Sequence, residues 1–456
     1  MHHIISRLIV YRNLASDGIL AGLADVCRRL EAARGTPGQP AACGETMSTQ
    51  VPVESPVTCL TDDVYTQVHH LLDLATRYGF DGDLWQCHIA WLMAMTENPF
   101  SLACERRGAR EGSVNGLATR DFEGIKALFD YDFGPLEQAL GIDCFTLLRN
   151  YQAMDKDRRT YNHHVGEKVR TLRLALCQAA DGADWFRIVT DFYREHGVGR
   201  IGMNQVFRLS GAKPMELEPI TNMVEVRLDD LVVYESQKQQ LVENTEAFLR
   251  GSRANNLLLY GDSGTGKSTC IKALRGMYQA RGLRIIELYK HQFGDLSALI
   301  SMVKNRNYKF ILFLDDLSFE EFEIEYKYLK AVIEGGMEVT PDNVLVYATS
   351  NRRHLIRETW SDRKDARTED DVHHSDTMEE KISLVNRFGL TIWFPRPDQQ
   401  AYQDIVRGIA GRYPEISLDD EALAREAVRW GLWNGTLSGR RAQQFVNHLL
   451  GQAGKG

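Results

Sequence analysis

The chain has 456 residues, 43% of them hydrophobic and 25% charged, with a formal net charge of −8. That composition excludes a globally disordered chain and offers no overall basic surface for nucleic-acid binding. No run of about 18 uncharged apolar residues occurs, so no membrane span is expected, and the eight cysteines lack any C-x-x-C pair, which points to buried thiols in a reducing compartment.

At ~150 residues per domain the length allows two to four domains. Residues 1–32 read as one or two amphipathic helices. Arg7 and Arg12 interrupt their apolar stretch, which argues against a secretory leader and makes the cytoplasm the expected compartment. Residues 33–56 are rich in Gly, Pro, Ser and Thr and read as a linker. Residues 61–210 read as mostly helical. Within them "LWQCHIAWLMAM" (84–95) is nearly all apolar and reads as a buried helix, with Pro99 as its stop signal. The stretch 154–173 gathers Lys156, Arg158, Arg159, Lys168, Arg170 and Arg173 around Tyr161. Asp155, Asp157 and Glu167 interleave with them, so it reads as a solvated helix face before a phosphate-binding one.

After residues 210–219 the texture changes. Short β-rich apolar runs at 255–260, 283–289, 310–314, 343–350 and 390–394 alternate with helical patterns. This is the signature of a parallel sheet covered by helices. From Asp398 the pattern returns to helix, opening on an Asp cap after Pro397. The expected domains are 1–57 (helices and linker), 58–218 (helix-rich), 219–396 (α/β) and 397–456 (helical lid).

The strongest chemical signal is "YGDSGTGKST", residues 260–269, which satisfies G-x-x-x-x-G-K-[ST] between an apolar strand and a helical segment. Gly261, Asp262, Ser263, Gly264, Thr265, Gly266, Lys267, Ser268 and Thr269 form the candidate phosphate-binding loop. Glycines let backbone N–H groups face phosphate oxygens, and the following helix presents its positive end to the same group. Lys267 adds a point charge, and Ser268 can ligate magnesium. A second apolar run, "FILFLDD", ends in Asp315 and Asp316. Asp315 is the candidate Mg²⁺ carboxylate and Asp316 the candidate general base for an attacking water.

Together with "DDLVVYESQKQQLVENTEAFL", "DDLSFEE", "ATSNRRHL", "EEKISLVNRFGL" and "SGRRAQQF", these motifs make residues 220–450 resemble the AAA+ ATPase module. The resemblance is to a family of bacterial AAA+ ATPases of unassigned biological role. It implies an α/β P-loop NTPase with a parallel sheet and a C-terminal helical lid, preceded by a mostly helical N-terminal domain. It implies ATP and Mg²⁺ as cofactors. Val232, Val233 and Tyr234 then resemble the segment that packs on adenine. Asn351 resembles the sensor that places the lytic water, with Thr349 and Ser350 as alternatives. Arg387 resembles an arginine finger acting on a neighbour's nucleotide, and Arg440, or Arg441 beside it, the lid sensor.

A finger acting in trans implies a head-to-tail homo-oligomer, a hexamer-like ring or a spiral. The implied activity is ATP hydrolysis coupled to remodelling or loading of a macromolecular client, protein or nucleic acid. The alternatives are an ATP-gated assembly switch with little turnover and, less favoured, a small-molecule kinase. Asp316 keeps the switch in view. AAA+ enzymes most often carry Glu there, and Asp is one methylene shorter; Glu320 is the nearby carboxylate in sequence that would substitute for it. Two weaker features remain. Phe293-Gly294 suggests a polypeptide-gripping pore loop or a packed helix staple. The polar stretch 361–381, with His373 and His374, reads as an insertion.

Overall fold

The computed structural model describes residues 1–34, 56–154, 162–211, 215–223, 225–319, 325–334, 341–351, 384–416 and 418–453. The chain forms two compact units, Met1–Asn204 and Gln205–Gly456.

The first unit is helical, and its described residues pack around an apolar core. Helix Leu84–Met95 buries nine of its residues, as its apolar sequence requires, and Asp83 caps it by accepting the Gln86 N–H at 3.0 Å. Pro99 does more than end this helix. It occupies the first turn of the next one, Pro99–Cys104, behind an Asn98 capping box, a position where its missing N–H costs nothing. The first residues of the chain belong to this unit. Ile5, Leu8, Tyr11, Leu14 and Leu20 lie in the same core as helix Leu84–Met95. Buried Asp121 fixes the connection by accepting the N–H groups of Ile9, Val10 and Tyr11 at 2.7–3.0 Å.

The second unit is built on a seven-stranded sheet, β1 (Val206–Leu209), β2 (Leu217–Pro219), β3 (Leu257–Gly261), β4 (Leu283–Leu288), β5 (Lys309–Leu314), β6 (Val344–Ser350) and β7 (Leu390–Phe394), in the order β2-β1-β4-β5-β6-β3-β7. All pairings are parallel except β1 with β2. β5 and β6 are central and buried on both faces, which is why they read as unbroken apolar runs. β7 is an edge strand with alternating burial, and its Trp393 is exposed.

β3 to β7 match the five expected runs to within two residues. β1 and β2 lie outside those runs; both are short, and "VFRL" sits in a helical neighbourhood. They place the start of the sheet before residue 210, so the expected boundary at 218/219 falls inside β2. Three C-terminal helices, Gln399–Ala410, Asp420–Trp433 and Gly439–Ala453, pack around Tyr402, Val406, Ala427, Ala442 and Phe445. Asp398 caps the first of them, accepting the Ala401 N–H at 2.8 Å. Among the described residues no helix is long and apolar enough to cross a membrane.

Candidate functional site

In a parallel sheet the C-terminal strand ends share one edge, and ligand sites form there. Here β3 ends at Gly261, and β5 and β6 run straight into polar residues at that edge, Asp315 and Asn351. β3 leads through residues 261–266 into helix Lys267–Tyr278. Gly261, Gly264 and Gly266 all have positive φ. A Cβ on Gly261 would stand 2.0 Å from the Phe394 carbonyl oxygen, and one on Gly266 2.3 Å from Leu231 Cδ2. Conformation therefore favours glycine at both, and at Gly261 the backbone oxygen also leaves no space for a side chain. Asp262 and Ser263 line the loop between them, with Ser263 exposed. Thr265 is buried and its hydroxyl donates to the Asp262 carbonyl at 2.9 Å. Thr269 is half-buried in the first helical turn.

Lys267 is 5% exposed. Its ammonium donates to the Gly261 and Asp262 carbonyls at 2.8 and 2.7 Å, and to Asn351 Oδ1 at 3.0 Å. Burial pulls it below the ordinary lysine value, while the carboxylates of Asp316, Asp262 and Asp315 oppose that shift. Ser268 Oγ donates to Asp315 Oδ1 at 2.5 Å, and Thr349 Oγ1 donates to the same oxygen at 2.7 Å. Asn351 Nδ2 donates to Asp316 Oδ1 at 2.6 Å. The helix start after β3 and the ends of β5 and β6 thus bring together two hydrogen-bonded groups side by side, Ser268–Asp315–Thr349 and Asp316–Asn351–Lys267. Hydroxyl and carboxylate oxygens at Ser268 and Asp315 are a donor set suited to a hard divalent cation.

Leu231–Tyr234 runs beside the loop. Leu231 touches Gly266, Val232 lies against Gly408 of the lid, and Val233 packs on the apolar residues around β3 as well as on those of the lid helices. Val233 and Tyr234 both have positive φ, at 75° and 70°, unusual for a β-branched and an aromatic residue in succession. Tyr234 donates its hydroxyl to the Pro395 carbonyl at 2.8 Å, and burial, with Asp262 and Cys270 adding, pushes its pKa up to about 12. Arg440 reaches the loop through its backbone, its N–H donating to the Gly264 carbonyl at 3.2 Å. Arg441 instead bonds Gln444 within its own helix at 2.8 Å.

Arg387 does not join the cluster. It precedes β7, whose register sets Leu390 beside Leu257 and Phe394 beside Gly261. It therefore stands at the opposite sheet edge from the loop, roughly 15 Å away at the rise of a β-strand. Phe293 is 2% exposed and packs near Phe319, as the helix-staple reading expects and a gripping loop does not. Glu320, residues 361–381 with His373 and His374, and the basic residues of 155–161 lie outside the described residues.

Sequence reasoning passed over Ser438, which is buried against Gly264, and gave Thr349 no part in holding the aspartates. Only the Ser-Gly pair before the helix could have signalled the first; the second depends on the β5–β6 register, which the sequence does not show.

The strand order and the loop between β3 and its helix define an AAA+ P-loop fold. The family profile described as "Protein of unknown function (DUF815)" matches residues 203–453, more than half of the chain, and the chain belongs to that family. It is 26% identical over 129 residues to the chromosomal replication initiator protein DnaA of Mesoplasma florum, a match that covers 25% of this chain and 29% of that protein. Among solved structures it is similar to Thermotoga maritima RuvB. The structure titled as the RuvB Holliday junction branch migration motor matches at TM-score 0.33 and 17% identity over 48% of this chain and 63% of that one. A single-substitution variant of the same RuvB matches at TM-score 0.35 and 17% identity over the same shares, 48% and 63%. The chain thus spans less than a third of the DnaA sequence and under two thirds of these RuvB chains.

Proposed function

We propose that this chain binds ATP with Mg²⁺ and hydrolyses it to ADP and phosphate, coupling the reaction to remodelling or loading of a macromolecular client. One observation carries the reading: Lys267, Ser268, Asp315, Asp316 and Asn351, drawn from the segments that follow β3, β5 and β6, meet in hydrogen-bonded contact at the loop. Lys267 and the loop N–H groups hold the outer phosphates. Ser268 and Asp315 hold Mg²⁺, which when bound offsets charge on the phosphate oxygens. Asp316 and Asn351 orient the attacking water. Its oxygen bonds the γ-phosphorus as the bond to the β–γ bridging oxygen breaks, ADP leaves with that electron pair, and the water proton passes through the Asp316 carboxylate to solvent.

Val232, Val233 and Tyr234 flank the base, and Arg440 carries the lid's charge to the phosphates. Arg387, at the far sheet edge, serves the nucleotide of a neighbouring copy, so the working form is a head-to-tail ring or spiral. A second reading, an ATP-gated assembly switch with little turnover, is favoured by the short side chain of Asp316, since ~1 Å of misplacement can cost ~10²-fold in rate.

Steady-state phosphate release over a range of protein concentrations separates the two. Turnover per chain that rises with concentration and is lost in Asp316→Asn supports the shared-site ATPase. Tight ATP binding with no release at any concentration supports the switch.

A further inference from the structure

We infer, resting on the nucleotide reading above, that Thr349 is a positioning residue that braces both aspartates of the site. Its side chain is not free to do much else. Thr349 is 1% exposed on β6, whose register pairs Ala348 with Leu314, the last residue of β5. The next residue on each strand therefore meets the other just where β5 ends and the chain turns. There the Thr349 hydroxyl donates to Asp315 Oδ1 at 2.7 Å and accepts the Asp316 N–H at 2.9 Å. The Thr349 carbonyl accepts the Leu317 N–H at 2.6 Å. One residue thus holds three consecutive residues of the neighbouring turn.

Asp316 has a φ of 54°, in the left-handed region that non-glycine residues avoid, and such a backbone persists only where its surroundings hold it. The Thr349 hydroxyl bonds the amide of that very residue. The turn so fixed aims the Asp316 carboxylate at Asn351, and through Asn351 at Lys267. Asp315 Oδ1, in turn, accepts two hydroxyls, those of Ser268 and Thr349. The Ser268 hydroxyl must turn its lone pairs to a cation if it ligates one. The Thr349 hydroxyl has no such task, so it holds the Asp315 carboxylate in place throughout. A side chain that only filled space would need the methyl; a brace needs the hydroxyl.

The test compares wild type, Thr349→Val, Thr349→Ser and Lys267→Ala in the full chain. Thermal melts report folding, fluorescent-ATP titration in EDTA reports nucleotide affinity, and Mg²⁺ titration of the nucleotide-loaded protein reports the cation site. Steady-state phosphate release separates kcat from KM. Thr349→Val should bind ATP in EDTA within ~2-fold of wild type, require several-fold more Mg²⁺ for half-saturation, and lose ~10²-fold in kcat with KM little changed, the scale of a ~1 Å misplacement. Thr349→Ser, which keeps the hydroxyl, should restore most of both losses. If Thr349→Val does not fold, Thr349→Ala against Thr349→Ser carries the same comparison. A valine or alanine chain with wild-type Mg²⁺ dependence and kcat overturns the brace, as does a serine chain as impaired as the valine one. Wild type that binds no ATP, or binds it as well in Lys267→Ala, overturns the nucleotide reading and the brace with it.

Discussion

Buried polar groups of the two units are put to different uses at Asp121 and Glu137 in the first and at Lys267 and Thr349 in the second. In Met1–Asn204, buried Asp121 and Glu137 are each taken up at a single place, chiefly by backbone, with the Thr146 hydroxyl as a further donor to Glu137. Asp121 closes on three N–H groups of residues 9–11, and Glu137 on the N–H groups of Phe145 and Thr146. Such carboxylates hold chain segments together and have their acceptor capacity taken up within the fold. In Gln205–Gly456, buried Lys267 and Thr349 sit next to exposed Asp315, Asp316 and Asn351. Besides bonds to nearby backbone, their side chains bond one another across the segments that follow β3, β5 and β6 and open on solvent. The difference separates polar groups that maintain a fold from polar groups assembled to meet something.

The largest expected effect tests the sharing of the site between copies. Arg387→Ala should lose ~10³-fold in turnover, the lower range for an arginine finger, with ATP affinity retained. Mixing it with Lys267→Ala should restore part of the phosphate release, because a mixed interface pairs an intact loop with an intact arginine. Two inactive variants that stay inactive when mixed would remove the trans arrangement.

Next, Asp121→Ala leaves three N–H groups without their acceptor. The first unit should lose roughly 3 kcal/mol, read from denaturant melts, while ATP affinity of the second unit stays within about 2-fold. Affinity that collapsed with it would break the division drawn above. A smaller effect concerns a cap. Asp83→Ala should cost ~1 kcal/mol in the same melts and leave phosphate release unchanged.

The smallest effect is a pH dependence. The buried Lys267 ammonium lies below its ordinary value of 10.5. Its folded-state value is depressed, so burying the charge costs stability at neutral pH, and that cost is relieved as pH rises through the lowered value. Nucleotide binding needs the charge and should weaken over the same alkaline range, a few-fold before an ordinary lysine would titrate. ATP titrations across alkaline pH check it, and an affinity that stays flat until an ordinary lysine titrates would contradict it.

Much of this was legible in the sequence for a physical reason. β5 and β6 are apolar on both faces because both faces are covered, so they appear as unbroken runs, and the loop's glycines sit where φ and close contacts exclude a side chain. Asp398 as a cap and Leu84–Met95 as a buried helix follow from equally local rules. What escaped was non-local. β1 and β2 are four and three residues long and gain their identity only by pairing with each other and, for β1, with β4. Residues 1–16 join the first core through apolar packing and through Asp121, more than a hundred positions away. Thr349 is visible as a candidate polar residue, but its work depends on strand register.

ATP titration of wild type and Lys267→Ala, each with and without Mg²⁺, tests the central claim most directly. Wild type should take up one ATP per chain, more tightly with Mg²⁺, and Lys267→Ala should lose at least about 10²-fold in affinity while melting as wild type does. Wild type that takes up no ATP, or a Lys267→Ala chain that binds it equally well, would contradict the account.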